Sequence, residues 1–169
     1  MAQKAITIYT PPAASAHIYA EDEAQHNRAR FGGSGITEAD NQLACSKVDN
    51  NTVRLASGLY CMQGYMLSVP GGSTEDLTVD SGTSGMFRKD LVIAEFTRGG
   101  GEVADTLVFR ILKGTPAASD AAAVDPTLTQ NDLAAGGTTR QEALYRISIG
   151  GTTLNTIARI APYVGNFYA

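Results

Sequence analysis

Short apolar runs separated by glycine-rich segments are the feature that most constrains this chain's fold. Eighteen glycines, with frequent Thr and Ser, divide runs of strand length. This spacing is typical of antiparallel β-structure, in which each run is a strand and each glycine-containing segment a turn. The 169 residues are enough for one domain. We therefore predict a single all-β domain over residues 33–169, folded as an antiparallel β-sandwich or a curved sheet.

The N-terminal part departs from this pattern. Pro11-Pro12 predicts an extended arm over residues 1–19, because proline fixes φ and restricts the residue before it. A short helix is predicted within residues 20–32, from about residue 21 to residue 30. Its first turn is acidic, its last turn is basic, and two glycines follow it.

Three hairpins are predicted within the β domain. The runs TVRLAS and LYCMQGYMLSV flank Ser57-Gly58, which has the composition of a tight turn. GMFRKDLVIAEF pairs with DTLVFRILKG across a glycine-rich loop, and ALYRISIGG pairs with LNTIARIAP at Gly150-Gly151. Residues 76–79 form a further short strand. Residues 115–141 are Ala-rich and polar, which predicts a long surface loop with one helical turn at 129–134.

Charged residues begin the most apolar strand and raise the possibility of a catalytic site. Alternation places Asp90 on the face of Val92 and Phe96, whereas Glu95 lies on the opposite face. Two carboxylates on opposite faces cannot act as an acid/base pair. We predict instead that the cluster is scaffold, with an arginine neutralising Asp90. The candidate arginines are Arg88, Arg110 and Arg146.

No enzyme signature, cofactor site or metal site is predicted. His17, Glu23 and His26 are the candidate metal ligands, but a helical Glu-x-x-His pair needs further ligands that one helix does not supply. Cys61 lies within a strand and is interpreted as a small core residue. The remaining candidate acids have no distinctive spacing. They are Asp76, Asp80 and Glu142.

Charge and hydropathy exclude two classes of partner. The net charge is −4 and the basic residues are scattered, which argues against nucleic-acid binding. No run approaches the roughly 18 consecutive apolar residues of a membrane span, and the N-terminus lacks a secretory apolar stretch. Apolar and aromatic residues near the two termini are instead candidates for a protein interface. They are Ile8, Tyr9, Tyr163, Phe167 and Tyr168.

Four blocks, taken in order, resemble a known group of proteins. They are an Asn-Asn-Thr-Val-Arg turn at 50–54, a Gly-Thr-x-Gly-x-x-Arg-x-Asp-Leu strand entry at 82–91, a Lys-Gly-Thr turn at 113–115 and a Leu-Tyr-Arg strand at 144–146. Together with AHIYAEDEAQHNRARFG, they resemble small structural proteins of the tail and baseplate gene clusters of siphophages and prophages of Gram-positive, Firmicute-type bacteria. The resemblance extends from residue 17 to residue 160.

This resemblance implies a virion component made in the bacterial host cytoplasm. Its expected partners are other copies of itself, in a homotrimer or another symmetric oligomer, and other tail or baseplate proteins. Host cell-wall polysaccharide is a further expected partner. The glycine-rich segments 71–73 and 99–101 are either contacts for it or flexible linkers. Because the chain ends soon after its last predicted strand, an adaptor or short tip subunit is expected. The alternative is a small carbohydrate-binding module that recognises host cell-surface glycans.

Overall fold

The computed structural model describes residues 19–100 and 102–165. Within these ranges the protein has one α-helix, one short 3-10 helix and nine strands. The helix α1 is Ala20–Phe31, and the 3-10 helix is Leu133–Ala135. The strands are β1 Gly35–Thr37, β2 Cys45–Asp49, β3 Thr52–Met62, β4 Tyr65–Thr78, β5 Phe87–Thr97, β6 Thr106–Leu112, β7 Thr139–Gly150, β8 Thr153–Arg159 and β9 Tyr163–Val164.

The strands form two sheets, which confirms the all-β prediction with a short helix near the N-terminus. In the first sheet β3 is central: β4 pairs with one side of it, and β2 and β1 pair with the other. The second sheet has the order β6-β5-β7-β8. All these pairs are antiparallel. The short strand β9 is the exception among the described strands, because it lies parallel to β1.

The alternation predicted for β5 is confirmed by the position of the core. Val92, Ala94 and Phe96 belong to the main apolar cluster, together with residues of the facing sheet. Leu91 and Ile93 are buried outside that cluster. The segment between β6 and β7 crosses this outer side of β5. Its backbone bridges join Phe87 to Ala117 and Gln130 to Arg140, and its carboxylate Asp125 binds Arg146.

The predicted turn at Ser57-Gly58 is wrong. β3 continues through both residues to Met62, and the chain reverses at Gln63 and Gly64. Gln63 and Gly64 both have positive φ, as a two-residue hairpin turn of type I′ requires. Gly58 serves a different purpose, since a Cβ there would lie 2.4 Å from the backbone nitrogen of Leu43. The glycine therefore marks a close backbone approach inside a strand.

Two smaller predictions also differ from the structure. Residues 76–79 are not a separate strand, because β4 is one strand from Tyr65 to Thr78 and its last part pairs again with β3 after a bulge. The register jumps from Gly58↔Val69 to Ala56↔Thr74, so residues 70–73 form a bulge on β4. The helical turn of the long loop is at Leu133–Ala135, where the Asp132 side chain accepts a hydrogen bond from the amide of Ala134.

The predicted helix is confirmed as α1. Its first turn carries Glu21, Asp22 and Glu23, and its last turn carries Arg28 and Arg30, an arrangement that complements the helix dipole. Gly32 ends it in the left-handed conformation with φ 73°. α1 packs against the β3–β4 turn so closely that a Cβ on Gly64 would lie 1.7 Å from the carbonyl oxygen of Ala24. The helix is therefore fixed to one end of the first sheet.

Candidate functional site

The charged start of β5 forms a buried ion pair. Arg88 Nε lies 2.8 Å from Asp90 Oδ1, and one Arg88 terminal nitrogen lies 2.9 Å from Asp90 Oδ2. Both side chains are almost fully buried, with 3% and 0% exposure. Two parallel hydrogen bonds of this kind fix the relative geometry of the two groups. Of the three arginines considered from the sequence, Arg88 is the partner of Asp90.

This pair joins three separate segments, here called the Arg88 corner: residues 80–81, Arg88 with Asp90, and Gly114. The guanidinium of Arg88 donates to the carbonyl oxygens of Asp80 at 2.6 Å and Ser81 at 3.2 Å. Asp90 also accepts a 2.9 Å hydrogen bond from the amide of Gly114. The guanidinium nitrogens of Arg88 and both carboxylate oxygens of Asp90 are therefore used for contacts within the chain, as expected of a scaffold.

Three of the four blocks that carry the family resemblance meet at or beside the Arg88 corner. From block 50–54, Asn51 Nδ2 donates to Val79 O at 3.0 Å and Ser81 Oγ at 2.9 Å. Block 82–91 supplies Arg88 and Asp90, and block 113–115 supplies Gly114. The fourth block, 144–146, supplies the Arg146–Asp125 contact that holds the long loop. Each of these four blocks therefore supplies at least one contact that holds the scaffold together.

A second network of polar side chains, also buried, connects the two sheets. The hydroxyl of Tyr60 donates to Glu142 Oε2 at 2.9 Å, and Arg140 Nε donates to Glu142 Oε1 at 2.5 Å. Arg140 also donates to the carbonyl of Asn131 at 3.1 Å. Burial, followed by the negative charge of Glu142, raises the pKa of Tyr60 above its ordinary value. This network ties the first sheet to the second and to the long loop.

Tyr60→Phe is expected to reduce the loss of stability at alkaline pH. The raised pKa keeps the Tyr60 hydroxyl protonated in the folded protein while the unfolded chain ionises. The contribution of this group to the free energy of unfolding is therefore complete below about pH 10. Above that pH it falls, with a slope that approaches about 1.4 kcal/mol per pH unit. Urea unfolding of wild type and Tyr60→Phe at pH values near 8 and 11 measures the difference. Exposed Tyr163→Phe is the control, and equal pH dependence in all three proteins would contradict the assignment.

Arg98 links α1 to the second sheet and the long loop. Its guanidinium lies 3.0 Å from Glu21 Oε1 and 3.2 Å from the carbonyl oxygens of Leu133 and Gly137. Beside it, a cavity of about 250 Å³ lies between α1, the β3–β4 turn and the 3-10 helix. Polar and aromatic side chains line part of this cavity. They include Glu21, Arg28, Gln63 and Tyr65.

A larger groove lies where β4 and β6 come together, here called the β4–β6 seam. Among the described residues, β4 pairs only with β3 and β6 only with β5, so each is the outermost described strand of its sheet. The groove has a volume of about 390 Å³. Its lining combines six apolar residues with three hydroxyl side chains and one carboxylate. It includes Leu67, Val69, Glu75, Leu107, Val108 and Phe109.

Three of the predicted interface and metal-ligand candidates lie within the described residues. Tyr163 lies on β9, 41% exposed, with the Arg159 guanidinium 3.9 Å from its ring centroid. Glu23 and His26 are exposed on α1. No group of three or more potential metal ligands occurs in residues 19–100 and 102–165. The other candidates lie outside the described residues and stay predictions. They are Ile8, Tyr9, His17, Phe167 and Tyr168.

The three candidate acids make contacts with different partners in different environments. Asp76 pairs with Arg54, and Asp80 pairs with Lys113; in each case the hydrogen bond to the cation lowers the pKa of the carboxyl. Glu142 lies in the buried network with Tyr60. Cys45 and Cys61 are free thiols, and burial raises the pKa of Cys45 to about 12. Desolvation also raises the pKa of Cys61.

The comparisons with known proteins give no assignment. No protein-family model matches the chain, and no curated protein matches it. In the part of the chain that the structure describes, no helix has the length and apolarity needed to cross a membrane.

Proposed function

We propose that the protein is a non-enzymatic structural subunit of a phage tail or baseplate, an adaptor or tip subunit that works as a symmetric homo-oligomer. The observation that carries this proposal is the β4–β6 seam, where the outermost described strands of the two sheets border a groove with apolar side chains in its lining. Strand edges of this kind pair readily with further chains. A subunit that assembles with its neighbours would use such a surface.

The Arg88 corner supports the same proposal in a different way. The resemblance to tail and baseplate proteins rests on residues that fix the scaffold, including Asn51, Arg88, Asp90 and Gly114. A scaffold held together by internal contacts suits an assembly component, because its surface is left for contacts with neighbours. The proposal therefore joins a sequence resemblance to an assembly surface.

Immunogold electron microscopy tests the proposed virion location. Particles are induced from the bacterium that carries the gene and labelled with an antibody against the purified protein. Gold is expected at one end of the tail. The same bacterium with the gene deleted is the control, and is expected to give unlabelled particles with defective tails. Intact tails after deletion, together with no gold on wild-type particles, would contradict the proposal.

A second candidate function, glycan binding, is favoured by the cavity beside α1. Tyr65 offers an aromatic ring, and Arg28 and Gln63 offer hydrogen-bonding groups around about 250 Å³. A glycan array probed with wild type, Arg28→Gln and Arg30→Gln tests this. Binding that Arg28→Gln removes and Arg30→Gln retains would support it, because Arg28 lines the cavity and Arg30 is not among its lining residues. Absence of binding to cell-wall glycans would reject it.

A further inference from the structure

We propose that residues 5–10 of a neighbouring copy bind along the β4–β6 seam and fill its groove. The inference rests on the proposed function, since it requires a homo-oligomer, and it names the surface and the segment that join the copies. The occupant is a segment of this same chain that lies outside the described residues and whose sequence predicts an extended conformation.

The seam has the chemistry of a site for an added strand. Leu67, Leu107 and Phe109 are half-buried hydrophobic residues that pack against the core and also line the groove. Val108 is 45% exposed beside them. An incoming strand could pair its backbone with one strand edge and place alternate side chains in the groove. Such a site selects an extended segment with apolar residues two positions apart.

Residues 5–10 match that requirement. The segment reads AITIYT, so Ile6 and Ile8 lie on one face of an extended strand and Thr7 and Tyr9 on the other. Lys4 precedes it and would complement Glu75, the carboxylate that lines the groove. β-branched and aromatic residues are also those favoured in strands. The proposed pairing therefore places the apolar face of the segment against the groove and the positive charge of Lys4 near the carboxylate of Glu75.

The described structure shows where this segment enters the fold. α1 begins at Ala20, and its Glu21 lies 3.0 Å from Arg98. Arg98 in turn lies 3.9 Å from Asp105, the residue before β6 begins. The chain that precedes α1 therefore starts beside the Leu107 end of the groove.

Length and stiffness favour the groove of another copy. Residues 10–18 can span roughly 30 Å when extended, whereas the groove of the same copy begins close to α1. Pro11-Pro12 predicts extended backbone in this segment, because proline fixes φ and restricts the residue before it. An arm that extends away from its own subunit reaches a neighbour, and a symmetric ring lets every copy donate one arm and accept one.

Cysteine cross-linking between two differently tagged chains tests the proposal. One chain carries Ile8→Cys and the other carries Ser68→Cys, an exposed groove residue on β4. The chains are mixed to exchange subunits and oxidised mildly, and light scattering records the mass. The control partner carries Ser46→Cys, at a serine that is also exposed and lies on β2 of the same sheet. Burial and the raised pKa values of Cys45 and Cys61 limit their part in the reaction.

A disulfide-linked pair of the two tagged chains is expected with Ser68→Cys, with at least fivefold less product with Ser46→Cys. Equal products from both partners would overturn the inference. So would a link formed only within a single chain that carries both Ile8→Cys and Ser68→Cys. An oligomer that keeps its mass after residues 1–16 are deleted, and gives no cross-link, overturns the inference but leaves the proposed function standing. A monomer at every concentration overturns both.

Discussion

Arg88→Met is expected to lower the free energy of unfolding by about 3–5 kcal/mol, the usual loss when one partner of a buried ion pair is removed. Asp90 would remain fully buried and lose both hydrogen bonds from the guanidinium. The carbonyls of Asp80 and Ser81 would also lose their donor. Urea unfolding followed by circular dichroism gives the difference from wild type.

The matched control is Arg54→Met, which breaks another bidentate arginine–aspartate pair. Arg54 and Asp76 are both 44% exposed, so water can replace the lost hydrogen bonds and solvent already weakens the attraction. Arg54→Met is expected to unfold close to the wild-type midpoint. If the two variants lose the same stability, the Arg88 corner is not the anchor of this fold.

Gly64→Ala is expected to detach α1 from the β3–β4 turn. A Cβ on Gly64 would lie 1.7 Å from the carbonyl oxygen of Ala24, a backbone atom that cannot move unless the helix moves. The left-handed backbone at φ 95° adds a second penalty. Amide hydrogen exchange across α1 should accelerate, and the melting temperature should fall.

Gly72→Ala separates these two penalties. Gly72 also has positive φ, at 77°, but no atom lies within 4 Å of the position that its Cβ would take. Gly72→Ala therefore reports the backbone penalty alone, and Gly64→Ala is expected to lose about 1–3 kcal/mol more, the usual range for overpacking. Unchanged exchange in α1 of Gly64→Ala would show that the helix does not depend on this contact.

The sequence pattern correctly predicted those parts of the fold that depend on residues close together in the sequence. The charge distribution and following glycine of α1 gave its bounds to within one residue, because capping and dipole effects are local. Alternation along β5 gave the correct faces for Asp90 and Glu95. The predicted turn at Ser57-Gly58 was wrong because glycine occurs both in tight turns and where two backbones approach closely. At Gly58 it admits the backbone of Leu43, a contact that no local pattern encodes.

The candidate site was less predictable because it is made by pairing between distant segments. Arg88 and Asp90 lie two residues apart on one face of β5, so alternation alone allowed that pair, but the carbonyls of residues 80–81 and the amide of Gly114 come from other segments. Tyr60 and Glu142 are 82 residues apart and meet only when the sheets pack. The groove depends on which strands are outermost, and the sequence pattern alone did not give the strand order.

Light scattering of the purified protein at tens of micromolar tests the central claim, assembly into a symmetric oligomer, most directly. We predict three or six times the 17.7 kDa mass of one chain, with a lower mass after residues 1–16 are deleted. A mass of 17.7 kDa for both proteins across this range would contradict assembly and leave glycan binding as the function to test next.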